Sequence, residues 1–491
     1  MRHIKKLPVT VAKARYSTPI LPEHQGNPLI LALPPCLDAK TVSSILTISV
    51  PSPDCASMAK SDQLDAVKKI RQTRIISHQH AELYSEIHQL LRYGYVHRNP
   101  STPEVLAWSY DIADPSVNRE ELIQPQLING TRPTTADSIF LTGFSGNGKS
   151  TMVEHILSNL FPMVIEHDYN GFHDPQVVYL KVDMPHNSSR AGLIYNMIRE
   201  LDRVLSATNY GDPEYRRIVK SKSGKYLPVE SMMDTLVTVL NRHHVGLIVI
   251  DEFQNIAVAS KRYRQEVIQL FDELANDLYI PSIKIGTPDT ILIFDRNSRH
   301  KRRLGRPIEL MRFTEKPVWE RAMKALFAFQ PVPKPIVRNA EIEELLYKLT
   351  AGVPAYLLGT WEAVLIEVIN SKADCISVSL IKRAFRKKFP LLRSATRNIN
   401  AGRKGRHSDL LTVQQYLDMD QSTMALKHLE SFAQDSSLAG AAAGDVLNDI
   451  ADSIEIESLS ASDLNRLNRI KARLEEKRNL QLPAQTIEHK S

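Results

Sequence analysis

One stretch of the chain decides its fold: Gly143-Phe144-Ser145-Gly146-Asn147-Gly148-Lys149-Ser150. It fits the pattern G-x(4)-G-K-[ST] of a phosphate-binding loop, and it lies between an apolar run that predicts a strand, residues 138–142, and a stretch that predicts a helix. Glycines let the backbone of such a loop wrap closely around phosphate oxygens, and its N–H groups form an anion site at the start of the helix. We therefore predict that this loop and the following Thr151 bind ATP. Lys149 would contact the β and γ phosphates, and the Ser150 hydroxyl would bind Mg²⁺.

A second element of phosphate chemistry follows further along the chain, where the apolar run 245–250 ends in Asp251 and Glu252. An apolar strand that ends in an acid supplies the metal ligand that a phosphate-binding loop needs. We predict that Asp251 holds Mg²⁺ through water and that Glu252 orients and deprotonates the attacking water. A buried strand with a solvated acidic edge is the alternative, and the phosphate-binding loop argues against it.

Two further sites are candidates for contact with the γ-phosphate. Thr287 follows the apolar residues 283–286 and would hydrogen-bond the attacking water as a polar sensor, although a Gly-Thr-Pro sequence is also typical of a plain turn. Arg302 and Arg303 belong to a basic run before the last strand, and one of them would reach the site of a neighbouring subunit as an arginine finger. A solvated or DNA-facing loop is the alternative for this run.

Alternating strand and helix patterns predict the fold class: an α/β, three-layer P-loop domain with a parallel sheet. The predicted strands are residues 138–142, 177–183, 245–251, 283–286 and 307–310. We divide the chain into an N-terminal arm and helical extension (1–117), the α/β ATPase core (118–312), a small all-helical lid (313–390), and a basic linker with an acidic, partly disordered tail that ends in an amphipathic helix (391–491). Within the first part we expect an extended arm up to about residue 53. Across the boundary to the core, we expect a loop with little regular structure at residues 101–135, which contain four prolines.

Charge is distributed unevenly along the 491 residues. The net charge is +7, yet residues 407–491 contain more acidic than basic side chains, so the rest of the chain is strongly basic. A basic body predicts a polyanionic partner such as double-stranded DNA, held by Lys and Arg at phosphate spacing. The candidate contacts are a basic loop with Arg216, Arg217, Lys220, Lys222 and Lys225, and a basic segment from residue 382 to 406 that includes Arg383 and Arg386. The alternative for the loop is a solvated surface loop, and the alternative for the segment is a free linker. The amphipathic helix of the tail could dock on a partner protein or pack on its own body.

Composition excludes several classes of protein. Hydrophobic residues make up 43% of the chain and charged residues 24%, which is typical of a globular protein rather than a collagenous or wholly disordered one. No apolar window is long enough for a membrane span, and the basic N-terminus contains no apolar core of a signal peptide. The three cysteines, Cys36, Cys55 and Cys375, are scattered, which favours reduced thiols. We expect a cytoplasmic, DNA-associated protein without membrane contact.

The order of these motifs resembles that of the AAA+ ATPases over about residues 118–390. More narrowly, the chain resembles the TnsC regulators of TnsABC-type transposons, which are related to TniB. Four local sequences carry this narrower resemblance: Asn-Pro-Leu-Ile-Leu-Ala-Leu-Pro-Pro at 27–35, Arg-Tyr-Gly-Tyr-Val-His-Arg-Asn-Pro at 92–100, Val-Val-Tyr-Leu-Lys-Val-Asp at 177–183, and Asp-Glu-Phe-Gln-Asn-Ile at 251–256.

The resemblance implies an ATP- and Mg²⁺-dependent regulator that forms a homo-oligomeric ring or helical filament on double-stranded target DNA. Such a protein links a target-site selector to the transposase subunits and disassembles when ATP is hydrolysed. The lid sequence at residues 351–358 departs from the broad AAA+ pattern, because it lacks the arginine that many members carry as a second sensor. This departure implies slow hydrolysis that depends on DNA or partners.

Two other functions remain open from the sequence. A replication initiator or helicase loader would share the ATPase core and the DNA contact, and it would co-purify with a helicase rather than with a transposase. A scaffold that binds nucleotide without hydrolysing it is favoured by the missing second-sensor arginine and disfavoured by the intact Glu252.

Overall fold

The structure is a computed structural model that describes residues 6–55, 58–114, 116–117, 135–258, 261–291, 304–332, 334–371, 375–390, 392–400, 426, 429–430, 433 and 461–479. Arg302 and Arg303, as well as most of the acidic tail with its expected disorder, lie outside these residues.

A five-stranded parallel sheet forms the centre of the protein. Its strands are β2 (Ser138–Thr142), β5 (Tyr179–Asp183), β6 (Leu247–Asp251), β7 (Ser282–Ile285) and β8 (Arg306–Glu309), and their order is β5-β6-β7-β2-β8. All neighbours run parallel, and Asp183 is in register with Asp251. Parallel strands are covered on both faces and are therefore apolar along their length, as β6 is. The predicted α/β fold class is confirmed.

Five helices of the core connect these strands or pack against them: α6 (Lys149–Leu160), α7 (Arg190–Leu205), α8 (Tyr215–Ile218), α9 (Val229–Arg242) and α10 (Lys261–Asp277). The apolar stripe of α7 is buried, as the helical period of its leucines and isoleucines predicts.

A second, small sheet shows that the strand predicted at residues 177–183 is two strands. β4 (Gln176–Val177) pairs antiparallel with β3 (Val164–Glu166), and the chain then crosses at Val178 into the large sheet. β1 (Val11–Lys13) pairs parallel with β3 on its other side. The N-terminal residues are thereby attached to the ATPase core.

The expectation of an extended arm before residue 53 is wrong. This region forms α1 (Pro28–Leu31) and α2 (Ala39–Leu46) and contributes to the main hydrophobic core. Asn27 explains the difference, because its side chain accepts a hydrogen bond from Leu29 N and donates one to Tyr95 O at 2.8 Å, which starts a helix in a buried place.

The expectation of a loop at residues 101–135 is also wrong for its first part. After α3 (Lys60–Lys68) and α4 (His78–Val96), a further helix, α5, spans Pro103–Ala113. Pro103 lies in the first turn of α5, where a missing N–H costs nothing, so here proline begins a helix rather than excluding one. Trp108 and Ile112 bury the inner face of α5.

The lid consists of α11 (Lys316–Ala328), α12 (Ala340–Thr350), α13 (Pro354–Ser371) and α14 (Val378–Lys388). Trp361 is fully buried in its core and donates a hydrogen bond to Phe329 O at 3.0 Å. The free linker that we considered after the lid begins instead with a helix, α15 (Leu392–Asn400), and Asn400 donates to Lys348 O.

The terminal helix, α16 (Ala461–Asn479), confirms the predicted amphipathic helix but not a free docking face. Leu467, Ile470 and Leu474 are almost fully buried, and Arg466 forms an ion pair with Glu430. These three apolar positions are therefore covered by the chain itself, which favours packing of the helix on its own body over docking on a partner, whereas Leu464 is exposed. No helix in the described ranges is long and apolar enough to span a bilayer.

Candidate nucleotide site

The phosphate-binding loop connects β2 to α6 at the carboxyl edge of the large sheet. Gly146 and Gly148 have φ angles of +90° and +88°, a left-handed conformation in which residues other than glycine are strained. The ammonium group of Lys149 donates to Gly143 O at 2.8 Å and to Phe144 O at 3.2 Å, so the lysine follows the curve of the loop. This geometry fits the predicted anion site.

Ser150 and Asp251 meet across this edge of the sheet. The Ser150 hydroxyl donates to Asp251 Oδ1 at 2.7 Å, and Glu252 N donates to the same oxygen at 2.9 Å. A hydroxyl and a carboxylate are the hard oxygen ligands that Mg²⁺ prefers, so these side chains fit the metal that the fold implies.

Glu252 lies in a left-handed backbone conformation with φ of +54°, which is rare for a residue with a Cβ. Its carboxylate is exposed and accepts a hydrogen bond from Gln254 Nε2. Unusual backbone geometry of this kind concentrates at functional sites. The exposed carboxylate beside Asp251 is consistent with a base that contacts water.

Lys181 is a charged member of the site that sequence reasoning missed. Its ammonium group lies 2.9 Å from Asp251 Oδ2, 3.1 Å from Glu154 Oε1 and 3.7 Å from Asp183 Oδ1. Burial by itself lowers the pKa of Lys181, but the attraction of these carboxylates outweighs burial and raises the pKa above its ordinary value. A lysine within an otherwise apolar strand sequence was the available signal.

Thr287 lies at the same edge of the sheet, because β7 runs between β6 and β2 and Gly286 N donates to Leu141 O at 3.1 Å. Its hydroxyl donates to the carboxylate of Asp289. The structure thus brings Thr287 to the edge that carries the phosphate-binding loop, and the role of a sensor stays a prediction.

A cavity of ≈ 470 Å³ opens beside the phosphate-binding loop, and it is walled by the N-terminal extension, the loop and the lid. Ile75, Ile76 and Leu358 contribute apolar surface, and His80 contributes a ring from α4. This volume is of the size that small-molecule sites have. Sequence reasoning missed the N-terminal wall, because only the tertiary structure brings these residues to the loop.

One ion pair joins the extension to the lid at this cavity. Arg71 donates to the two carboxylate oxygens of the buried Glu362 at 3.0 and 3.1 Å, and Lys388 Nζ lies 3.7 Å from the same carboxylate. Paired, planar contacts of this kind fix orientation as well as charge.

The lid also contacts the phosphate-binding loop directly. Ala355 N, in the first turn of α13, donates to Gly146 O at 3.1 Å, and Phe144 packs against Val353 and Tyr356. Arg312 donates to Ala351 O at 2.6 Å, with its guanidinium carbon 5.6 Å from the centre of the Phe144 ring. Burial lowers the pKa of Arg312.

In the first group of candidate DNA contacts, several side chains already interact with other groups of the protein. Arg216 lies 3.5 to 3.9 Å from three acidic side chains, those of Asp202, Asp212 and Glu214, and Arg217 pairs with Glu214 at 2.6 Å. Lys220 packs over the ring of Tyr195 at 4.2 Å. Three of these five candidates, Arg216, Arg217 and Lys220, therefore already have partners on the protein itself, and the DNA contact of this loop stays a prediction. Within this group, Lys222 and Lys225 are exposed.

Arg383 and Arg386 of the second group lie on α14, whereas residues 401–406 of this basic segment lie outside the described residues. Arg383 donates to Glu367 Oε1 at 3.1 Å, whereas Arg386 is exposed near the C-terminal end of the helix. The cation of Arg383 is therefore partly balanced, and Arg386 is the better placed of the two for an external phosphate.

Comparison with known proteins gives one family. The family model described as "Bacterial TniB protein" matches residues 120–315, and no curated protein matches the chain. The similar solved structures include Drosophila ORC bound to DNA (9% identity, 89% of this chain and 90% of that chain, TM-score 0.39), the ORC2 protein of Aeropyrum pernix (11%, 74% and 89%, 0.35), and a Walker-type ATPase of Pyrococcus abyssi (14%, 69% and 84%, 0.35). Residues 120–315 therefore match the bacterial TniB family, and the phosphate-binding loop and the Asp-Glu strand end of the parallel sheet lie within them.

Proposed function

We propose that this protein is an ATP-dependent, DNA-binding regulator of transposition. It assembles on double-stranded target DNA, links a target-site selector to the transposase, and leaves the DNA when ATP is hydrolysed. The observation that carries the proposal is the 2.7 Å contact between Ser150 and Asp251 inside a TniB-type domain, because it joins the phosphate-binding loop to the acidic strand end.

The residues of the site have distinct tasks in this proposal. The backbone N–H groups of residues 146–148 and the Lys149 ammonium bind the phosphates of ATP, while Ser150 and Asp251 hold Mg²⁺. Bound there, Mg²⁺ supplies positive charge that the developing phosphate charge requires. Glu252 accepts the proton of the attacking water, and Thr287 orients that water.

The apolar cavity would hold the base and sugar of ATP between the N-terminal extension and α13. Since Ala355 N already contacts Gly146 O, a change in the loop is transmitted to the lid through a direct hydrogen bond. Arg302 or Arg303 from a neighbouring subunit would complete the site, which makes hydrolysis depend on assembly.

Exposed lysine and arginine side chains would contact the phosphates of the DNA and not the edges of its bases. Lys222, Lys225 and Arg386 are the best placed of the candidates, because they are exposed and Arg216, Arg217 and Arg383 have acidic neighbours. Binding of this type weakens steeply as salt rises.

Two substitutions test the chemistry. Lys149→Ala removes the phosphate cation and is expected to weaken nucleotide binding by about tenfold or more, which corresponds to ~1.4 kcal/mol. Glu252→Gln keeps the shape of the base but cannot accept a proton, so it should bind nucleotide like wild type and lose about 99% or more of phosphate release, in line with the 10²–10⁴-fold contribution of general-base catalysis.

Fluorescent-nucleotide titration and phosphate-release assays with duplex DNA separate these two effects. Lys40→Met, at an exposed lysine of α2, is the control and should match wild type in both assays. Wild-type hydrolysis in the Glu252→Gln variant would contradict the proposed base.

A further inference from the structure

The ammonium group of Lys181 is surrounded by acidic side chains in the candidate site. Its side chain is only 11% exposed, and three carboxylates from three different elements surround its ammonium group: Glu154 of α6, Asp183 of β5 and Asp251 of β6. The nearest of them, at 2.9 Å, is Asp251, which is the proposed metal ligand. The lysine therefore acts on the charge of the metal site itself.

The two oxygens of Asp251 have different partners. Oδ2 faces the Lys181 ammonium, while Oδ1 accepts hydrogen bonds from the Ser150 hydroxyl and Glu252 N. This division fixes the plane of the carboxylate and leaves Oδ1 on the side of the phosphate-binding loop. A metal cation at Ser150 could therefore bind only Oδ1 of Asp251, and the negative charge of this carboxylate is already partly neutralised by Lys181.

We propose that Lys181 is a positioning residue that makes metal binding at Ser150 and Asp251 depend on the nucleotide. With the lysine charge in place, the protein ligands alone attract a divalent cation weakly, and the phosphates of ATP must supply the remaining negative charge. This inference rests on the proposed function of the site as an ATP site, and it assigns to the Lys181 charge the weak binding of the metal without nucleotide.

The arrangement of acidic side chains agrees with this order. In the described ranges, no group of three His, Cys, Asp or Glu side chains is arranged to hold a metal ion on its own. Three carboxylates nevertheless converge on one ammonium group, and like charges this close repel one another when the cation between them is removed. Loss of the Lys181 charge therefore strengthens the attraction of Glu154, Asp183 and Asp251 for a divalent cation.

The test uses the full-length protein and Mn²⁺ as the probe, with bound Mn²⁺ measured by electron paramagnetic resonance in the absence and presence of a non-hydrolysable ATP analogue. For wild type we expect weak Mn²⁺ binding that the analogue strengthens. For Lys181→Met, which keeps most of the apolar stem, we expect Mn²⁺ to bind about tenfold or more tightly without nucleotide. Lys181→Arg retains the charge and should behave like wild type.

An unchanged Mn²⁺ affinity in folded Lys181→Met would overturn the inference, because a lysine that serves only the packing of the strand would give that result. If this variant does not fold, the Mn²⁺ affinity of Glu154→Gln is measured instead, because this variant keeps Lys181 and removes one carboxylate. Tighter Mn²⁺ binding without nucleotide would contradict the proposed role of Lys181. Equal or weaker binding would support it. A separate titration of wild type with fluorescent ATP tests the proposed function. Absence of nucleotide binding there would refute that function, whereas the nucleotide-free Mn²⁺ measurement decides the role of Lys181.

Discussion

Gly146 is the residue at which the phosphate-binding loop meets the lid. Its φ of +90° is strained for any residue with a Cβ, and a Cβ placed there would lie 3.2 Å from both Ala355 Cβ and Val353 Cγ1. A side chain at this position would therefore disturb both the loop conformation and the contact with α13.

We predict that Gly146→Ala lowers nucleotide affinity about tenfold or more and destabilises the protein by roughly 1–3 kcal/mol, the usual cost of a strained backbone position. Fluorescent-nucleotide titration and urea unfolding measure the two effects. Gly171→Ala is the matched control, because Gly171 has φ of +84° but open space around its Cβ position. It should lose stability and keep its nucleotide affinity; equal nucleotide affinity in the two variants would contradict this account of the loop.

At the scale of a single element, α4 begins at the cavity wall with a histidine as part of its cap. His80 Nδ1 accepts a hydrogen bond from Ser77 N at 3.2 Å, and burial lowers the pKa of His80 to about 4. The unfolded chain, with a histidine pKa near 6.5, binds more protons than the folded protein between these two values. The contribution of His80 is therefore fully present above about pH 6.5 and is lost as the pH falls toward 4.

Glutamine in place of His80 accepts the same cap hydrogen bond but does not titrate. We predict that His80→Gln keeps wild-type stability at pH 7.5 and reduces the pH dependence of unfolding between pH 6 and 4.5 by about 1.4 kcal/mol per pH unit. His80→Ala should show the same reduced slope but lower stability than His80→Gln at every pH, because it loses the cap hydrogen bond. Urea unfolding over this pH range is the measurement, and an unchanged slope in His80→Gln would refute the assignment.

The elements differ in how far their sequence determines them. The phosphate-binding loop and the Asp251-Glu252 strand end could be predicted together, because local spacing and the rule that parallel strands end at one edge are enough. The α5 helix was missed because the four prolines of residues 101–135 suggested a loop, although Pro103 in a first turn favours a helix. The strand at 177–183 was predicted as one element because the apolar pattern continues through Val178, where the chain changes sheets.

The candidate site was predictable only in its phosphate half. Lys149, Ser150 and Asp251 follow a local pattern, whereas the pairing of Arg71 with Glu362 joins residues far apart in sequence and has no local signal. Lys181 lies between these cases: its charge in an apolar strand indicated a buried partner, but which carboxylates surround it depends on the register of β5 and β6.

At the scale of the whole molecule, the proposed function is that of an ATPase with a basic body that assembles on DNA under the control of ATP. The extension, the core and the lid all contribute residues to one cavity beside the phosphate-binding loop, so a ligand bound there would contact all three parts. The acidic tail contributes a helix whose apolar face is covered within the chain.

The most direct measurement of the central claim is electron microscopy of the purified protein with duplex DNA, with a non-hydrolysable ATP analogue in one sample and ADP in the other. The account predicts rings or helical filaments on DNA with the analogue and their loss with ADP, and it predicts that Glu252→Gln keeps its assemblies in ATP whereas Lys149→Ala forms none. Monomers in both nucleotide states, or equal assemblies in both, would contradict the claim that ATP controls assembly on DNA.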